Sequence, residues 1–200
     1  TAFEVIGHIA HLNLRDDVLP FKFIVGKVIL DKNARIKTVV NKVGQIDTTF
    51  RTFGMEVIAG EDGEGWSEVT VKEEGCQYQM DFKKVYWNSR LGGEHRRLVN
   101  VIQKEAKESE SDIVVADLMA GIGPFSVPLT SKGIENIHVH ANDLNPSSYR
   151  YLVRNAEKNK CVNLSCYNMD GRAFCHMLQE KKITFHHVLM NLPATAPEFL

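Results

Sequence analysis

In the second half of the chain, short apolar runs alternate with stretches of helical spacing. Ile113-Val114-Val115-Ala116, Val139-His140-Ala141, Asn163 to Tyr167 and Phe185 to Met190 are apolar and rich in β-branched or aromatic residues, the pattern of buried parallel strands. Between them, Phe125 to Ser131, Ser147 to Asn159 and Phe174 to Glu180 carry helical patterns. Pro124 falls near a helix first turn, where proline is tolerated. In the second of these helices Tyr151, Leu152 and Ala156 are the expected inward face.

The first half has a different rhythm. Phe3 to Leu12 reads mainly as one strand, with Val5 and Ile9 apolar and His8 and His11 on its surface. Pro20 to Leu30 has helical spacing, Ile36 to Val40 is strand-like, and Thr48 to Gly60 runs as loop then strand. Glu61 to Gly65 is an acidic, glycine-rich turn. Glu68 to Gly75 and Gln77 to Phe82 read as a β-hairpin with alternating faces. Residues 1–84 are therefore expected to form a small α+β domain, and residues 85–200 an α/β domain. The second domain opens with a helix from Glu94 to about Glu108, entered through Gly92-Gly93, with Leu98, Val101 and Ile102 on one side. The charged residues from Glu105 to Asp112 read as a loop before the central strand.

The chemistry concentrates at Asp117-Leu118-Met119-Ala120-Gly121-Ile122-Gly123-Pro124-Phe125. Gly121 and Gly123 let the backbone turn sharply and come close to a ligand. About twenty residues on, a second strand ends in Asp143, suited to accept hydrogen bonds from ribose hydroxyls. This is a βαβ nucleotide-binding unit. A dinucleotide fingerprint fits poorly, because Pro124 follows the second glycine and Ser126 takes the third glycine's place. Asp117 would repel a pyrophosphate and suits a cationic group. S-adenosylmethionine, with an ammonium, a sulfonium and no phosphate, fits this chemistry better than NAD. Ligands of open α/β sheets sit beyond the carboxyl ends of the strands. Those ends carry Asp117, Asp143, Asp170 and Asn191, which are expected to converge on one crevice.

Composition narrows the picture without redirecting it. The 200 residues are 44% hydrophobic, enough for a substantial core, and the net charge is −1. Nucleic-acid binding would have to rest on local patches. Cys76, Cys161, Cys166 and Cys175 form no C-x-x-C pair and read as free thiols. No signal peptide and no apolar run of membrane-spanning length is read in these 200 residues.

At this point the sequence resembles a family, the archaeal and eukaryotic tRNA guanine-37 N1-methyltransferases, in a eukaryotic, fungal-like form. The resemblance is carried by Val85-Tyr86 through Arg90-Leu91-Gly92-Gly93-Glu94-His95-Arg96-Arg97, by Asp117 to Phe125, by Asn142-Asp143-Leu144-Asn145-Pro146, and by Asn191-Leu192-Pro193. Residues 1–84 resemble the family's middle domain. The resemblance implies a class I S-adenosylmethionine methyltransferase fold, with a Rossmann-like sheet preceded by the small α+β domain. Only about four of its strands are read here, so the sheet is expected to be incomplete at its C-terminal side, and the family's N-terminal tRNA-elbow domain is not seen. It implies S-adenosylmethionine as cofactor and a tRNA with guanosine at position 37 as partner. It further implies a monomer with no membrane association, inside the cell in the cytoplasm, nucleus or mitochondrial matrix.

The implied roles follow residue by residue. Glu94 matches the general base that takes the guanine N1 proton. Its reference pKa of about 4.3 leaves it ionised, and burial would raise it. Asn191 holds the target guanine, and Arg51 steadies its oxygen as charge develops. Asp117, Gly121 and Gly123 form the cofactor turn. Asp143 and Leu144 match the ribose and adenine region, Asp170 and Gly171 the adenine amino group, and His95 and Arg90 the methionine end. Lys83, Lys84, Arg90, Arg96 and Arg97 are candidate phosphate contacts, and the target base must be splayed from its stack. Two other readings stay open: a wybutosine-pathway transferase that moves the aminocarboxypropyl arm of the same cofactor, and a non-catalytic tRNA- or cofactor-binding fragment. The Asn191-Leu192-Pro193 segment speaks against the transferase. An NAD-linked oxidoreductase is disfavoured by Pro124 and Ser126.

Overall fold

Gly7 adopts φ +56°, a conformation that a side chain disfavours, and turns the first apolar run back on itself. The computed structural model, which describes residues 3–44, 50–131 and 135–192, accordingly has a hairpin where one strand was expected. Its arms are β1 (Glu4–Ile6) and β2 (Ile9–Leu12). His8 falls in the turn, with its Nε2 3.0 Å from the Trp66 carbonyl.

The packing divides the chain into two units, Thr1–Val71 with Gln79–Tyr86, and Lys72–Tyr78 with Trp87–Leu200. In the first, β2 leads through helix α1 (Lys22–Lys32) to β3 (Thr38–Val43), which runs parallel to β2. A parallel pair needs such a crossover. β4 (Gly54–Gly60) then returns antiparallel, giving the sheet order β1-β2-β3-β4. The core lies between this sheet and α1, with Ala10, Leu12, Leu14, Ile29, Ile36, Val39 and Ile58 all buried. Thr48 and Thr49 of the expected loop lie outside the described residues. A hairpin of β5 (Glu68–Glu73) and β6 (Cys76–Asp81) follows, its turn made by Glu74 and Gly75 at positive φ. The tip of the hairpin, Lys72–Tyr78, packs as part of the second unit.

The second unit opens with α2 (Gly92–Glu108). Its inward stripe is His95, Val99, Ile102 and Ala106, one residue round from the expected face, and Val101 is 51% exposed. The spacing i, i+4, i+7, i+11 explains the shift: it enlists His95 and Ala106, which a count of large apolar residues overlooks. The helix also continues through Glu105 to Glu108, part of the expected loop; its charges sit on the solvent face, including a Lys104–Glu108 pair at 3.8 Å.

After α2 come β7 (Ile113–Asp117), α3 (Ser126–Thr130), β8 (Ile137–Asn142), α4 (Pro146–Lys158), β9 (Leu164–Tyr167), α5 (Gly171–Glu180) and β10 (His187–Leu189). The four strands are parallel, in the order β10-β7-β8-β9. The chain winds outward from β7 to β9, then crosses back to the far side of β7. The order therefore reverses between β7 and β10, the point where such sheets open a ligand crevice. Leu152 and Phe174 are fully buried against the sheet, worth about 2–3 kcal/mol each in water-excluded apolar area. In α4 the inward positions are Ser148, Tyr151, Leu152 and Asn155; Ala156, expected inward, is half-buried. A polar residue takes that place because the glycine turn below it needs a hydrogen-bond donor. Among the described residues no helix is long and apolar enough to cross a membrane.

Candidate active site

β7 delivers Asp117 at its carboxyl end, and the chain then turns through Gly121 at φ +58° and Gly123 at φ +97°. The two glycines serve different ends. A Cβ on Gly123 would lie 2.6 Å from Val127 Cγ2 and 2.8 Å from Leu152 Cδ1, so its bareness lets the turn pack onto α3 and α4. A Cβ on Gly121 would meet nothing within 4 Å. Space is left there for a ligand to approach the backbone.

Asp143 braces this turn. Its Oδ2 accepts from the Gly121 N–H at 2.7 Å and its Oδ1 from the Asn145 N–H at 2.9 Å. Burial raises its pKa, and the two backbone N–H groups oppose that rise. Each oxygen keeps a second lone pair, so ribose hydroxyls could still be accepted. Leu144 beside it is 48% exposed, an apolar face open to a ring.

Asp117 is wholly buried, and its Oδ2 accepts from the Ser126 hydroxyl at 2.6 Å. Its Oδ1 is buried with no partner among the described residues. Burial pushes the acid up to about 7; the Ser126 bond acts against this, and the charge of Asp143 adds to it. Buried acceptors are rarely left unpaired, and a cation brought to Oδ1 would satisfy this one. Ser126, which the sequence marked only as a misfit to a dinucleotide turn, is the partner that orients Asp117.

Three asparagines lace the strand ends together. Asn142 is fully buried; its Nδ2 donates to the carbonyls of Leu118 (3.2 Å) and Met169 (3.0 Å), and its Oδ1 accepts from the Met169 N–H (3.0 Å). It thus ties the ends of β7, β8 and β9. Asn155 donates from α4 to the Ile122 carbonyl at 3.1 Å, inside the glycine turn. Asn168 donates to the carbonyls of Asp143 (2.7 Å) and Leu144 (3.1 Å). A signal existed for two of them: an amide within an apolar strand or on an apolar helix face is buried with partners.

His95 is buried, with Nδ1 2.7 Å from Glu73 Oε1 and its ring edge-on to Phe125 at 4.8 Å. Its Nε2 is buried without a partner among the described residues. Through Phe125 this imidazole adjoins the glycine turn. Asp170 is the N-cap of α5: its Oδ1 accepts from the N–H groups of Arg172 (2.9 Å) and Ala173 (3.3 Å). Gly171 begins that helix and is buried. Asn191 lies just beyond β10, half-buried, and Pro193 lies outside the described residues. Arg51 belongs to the first unit, at φ +56°, with its Nε buried and unpartnered among the described residues.

Glu94 sits in the first turn of α2 and is exposed. Its Oε2 and Oε1 accept from Arg97 Nε (2.8 Å) and Nη2 (2.6 Å). These bonds hold the carboxyl below its ordinary value. Three of the five candidate phosphate-binding cations are likewise held by acids: Arg97 by Glu94, Arg96 by Glu74 at 2.6 Å, and Lys84 by Asp81 at 2.9 Å. Lys83 lies over the Trp66 ring at 5.6 Å.

Known proteins carry the same organisation. Residues 69–200 match the family described as the TRM5/TYW2 methyltransferase domain, and residues 1–63 match the TYW2 N-terminal domain. A relative from Phaeodactylum tricornutum, named tRNA (guanine(37)-N(1))-methyltransferase 1, is 63% identical over 203 residues, covering 100% of this chain and 46% of its own length. The chain therefore spans about half the length of the curated relatives it matches. Trm5 from Methanocaldococcus jannaschii, solved in complex with adenosine, superimposes with a TM-score of 0.73 at 28% identity, over 99% of this chain and 53% of that one. The complex of aTrm5 with tRNALeu gives 0.78 at 28% identity, over 99% and 54%. The hairpin tip, the whole parallel sheet and the glycine turn all fall inside the matched residues 69–200, and the chain belongs to the TRM5/TYW2 methyltransferase family.

Proposed function

We propose that this chain is the catalytic part of a tRNA (guanine-37-N1)-methyltransferase that uses S-adenosylmethionine. The observation that carries the reading is Asp117, a buried carboxylate with one unpartnered oxygen at the point where the strand order reverses. Open space at Gly121 adjoins it. An ammonium completes that oxygen, whereas a pyrophosphate would meet the charges of Asp117 and Asp143. The names of the relatives, and the adenosine and tRNALeu bound by two Trm5 structures, support the same choice.

Asp117 and His95 would hold the methionine end of the cofactor, with Gly121 and Gly123 forming the turn beneath it. Asp143 and Leu144 would take the ribose and adenine, and Asp170 and Gly171 the adenine edge. When bound, the cofactor supplies a methyl group made electrophilic by its sulfonium. The protein's own task is the proton. Guanine N1 carries a hydrogen that must leave as the methyl arrives, and the Glu94 carboxylate takes it. Asn191 would hold the guanine, and Arg51 would offset the negative charge developing on its oxygen. The base would reach these groups only after leaving its stack.

The test is nucleoside mass spectrometry after incubating the purified chain with S-adenosylmethionine and tRNA transcripts carrying guanosine or adenosine at position 37. N1-methylguanosine from the first transcript alone is the expected product. A second reading, transfer of the aminocarboxypropyl arm, is favoured by the match of residues 1–63 to the TYW2 N-terminal domain. It predicts the heavier adduct in the same spectrum, and its appearance would overturn the methyltransferase reading.

A further inference from the structure

We infer that Arg97 is a latch on Glu94, opened when an RNA backbone phosphate takes its guanidinium. The inference rests on the reading above, in which Glu94 meets guanine N1. Arg97 grips both carboxylate oxygens in a fork, at 2.8 and 2.6 Å. Charge-assisted bonds of this kind stabilise the anion and make it a poor proton acceptor. As it stands, the base is quenched.

The pair is built to be exchanged. Its side chains are 60% and 49% exposed, so water and salt already compete with the contact. A backbone phosphodiester offers the same two-point acceptor geometry and the same single charge as the carboxylate, so it can replace Glu94 on the guanidinium. Position favours the exchange as well. Residues at i and i+3 of a helix have Cβ atoms about 5–6 Å apart. The long Arg97 side chain can therefore leave Glu94 and swing to a backbone phosphate beside a base whose edge meets Glu94. The neighbouring Arg96 is held by a different acid, Glu74. Among the described residues, only Arg97 is hydrogen-bonded to Glu94. Binding RNA would then do two things at once: it would gain a phosphate contact, and it would free the carboxylate that the reaction needs.

Equilibrium titration of the chain with a guanosine-37 tRNA transcript tests the latch through a coupling that neither residue's separate effect can mimic. Glu94→Gln removes the competitor for Arg97 and should tighten binding about twofold to threefold beyond any general charge effect. Arg97→Ala should weaken binding about threefold to tenfold and lower the salt slope by about one phosphate contact between 50 and 200 mM salt. In the Arg97→Ala background, the tightening by Glu94→Gln should shrink towards the small remainder due to net charge. Arg97→Lys keeps a point charge for phosphate and should bind within about twofold of wild type. Arg96→Ala, the control, should leave the Glu94→Gln effect whole. If the effects of Glu94→Gln and Arg97→Ala are additive while tRNA still binds, the latch is overturned and the functional reading stands. If no variant binds tRNA, the functional reading fails and the latch with it.

Discussion

Asp117 links the chemistry of the site to the stability of the fold. Its folded pKa of about 7 stands above the ordinary 3.8. Between those values the native state holds a proton that the unfolded chain has lost. Stability is therefore fully present below the lower value and declines as pH rises through the upper one. Asp117→Asn keeps an acceptor for Ser126 and removes the titration. In urea unfolding, the variant should gain on wild type as pH rises from about 4 to about 7, by up to a few kcal/mol, and keep that gain above it. The same carboxyl links ligand binding to protons. A cationic ligand on Oδ1 would pull the pKa down, so binding of S-adenosylmethionine near neutral pH should release part of a proton in calorimetry across buffers of different ionisation heat. Unchanged proton release in Asp117→Asn would contradict that assignment. The acid itself was legible in the sequence, because it ends an apolar strand immediately before a glycine turn. Its buried partner was not: Ser126 matters through a contact nine residues away that only the folded turn creates. The state of Glu94 was likewise hidden, since an i, i+3 pair in a helix first turn can form or stay open with the same sequence.

At the scale of elements, the glycine turn separates two requirements that a motif fuses. Gly123→Ala would drive a Cβ into Val127 and Leu152 at φ +97°. It should cost about 2–4 kcal/mol, read as a drop of several degrees in melting temperature. Gly121→Ala faces open space and carries only left-handed backbone strain, about 1–2 kcal/mol. It should nevertheless lose the larger share of cofactor affinity, because the new methyl fills the space left for the ligand. Equal losses of affinity in the two variants would contradict the division. Element order in the second unit was readable from periodicity, because buried parallel strands are nearly pure apolar runs. Three local features escaped it. Gly7 splits a continuous apolar run into a hairpin by its backbone alone. His95 and Asn155 sit on buried helix faces because Glu73 and the Ile122 carbonyl receive them. The last turn of α2 is helical although every charge in it suggests a loop.

For the molecule as a whole, the net charge of −1 gives no general attraction for RNA. Three of the five candidate phosphate contacts are already paired with acids within the chain. If the proposed tRNA binding holds, these three contacts would have to be exchanged for phosphate, and binding should be sensitive to salt. The order of strands β10-β7-β8-β9 could not be read from periodicity, which records strands and not neighbours; it is what sets Asp117 and Asn191 on adjacent strand ends. The central claim is that these strand ends and Glu94 form one methyl-transfer site acting on guanosine N1. Single-turnover methyl transfer to a guanosine-37 tRNA, comparing wild type with Glu94→Gln at saturating cofactor, tests it most directly. The claim predicts N1-methylguanosine from wild type and a rate about 10²–10⁴ lower in the variant, with cofactor binding unchanged. Equal rates in the two proteins, or no methylated guanosine from wild type that binds both substrates, would contradict it.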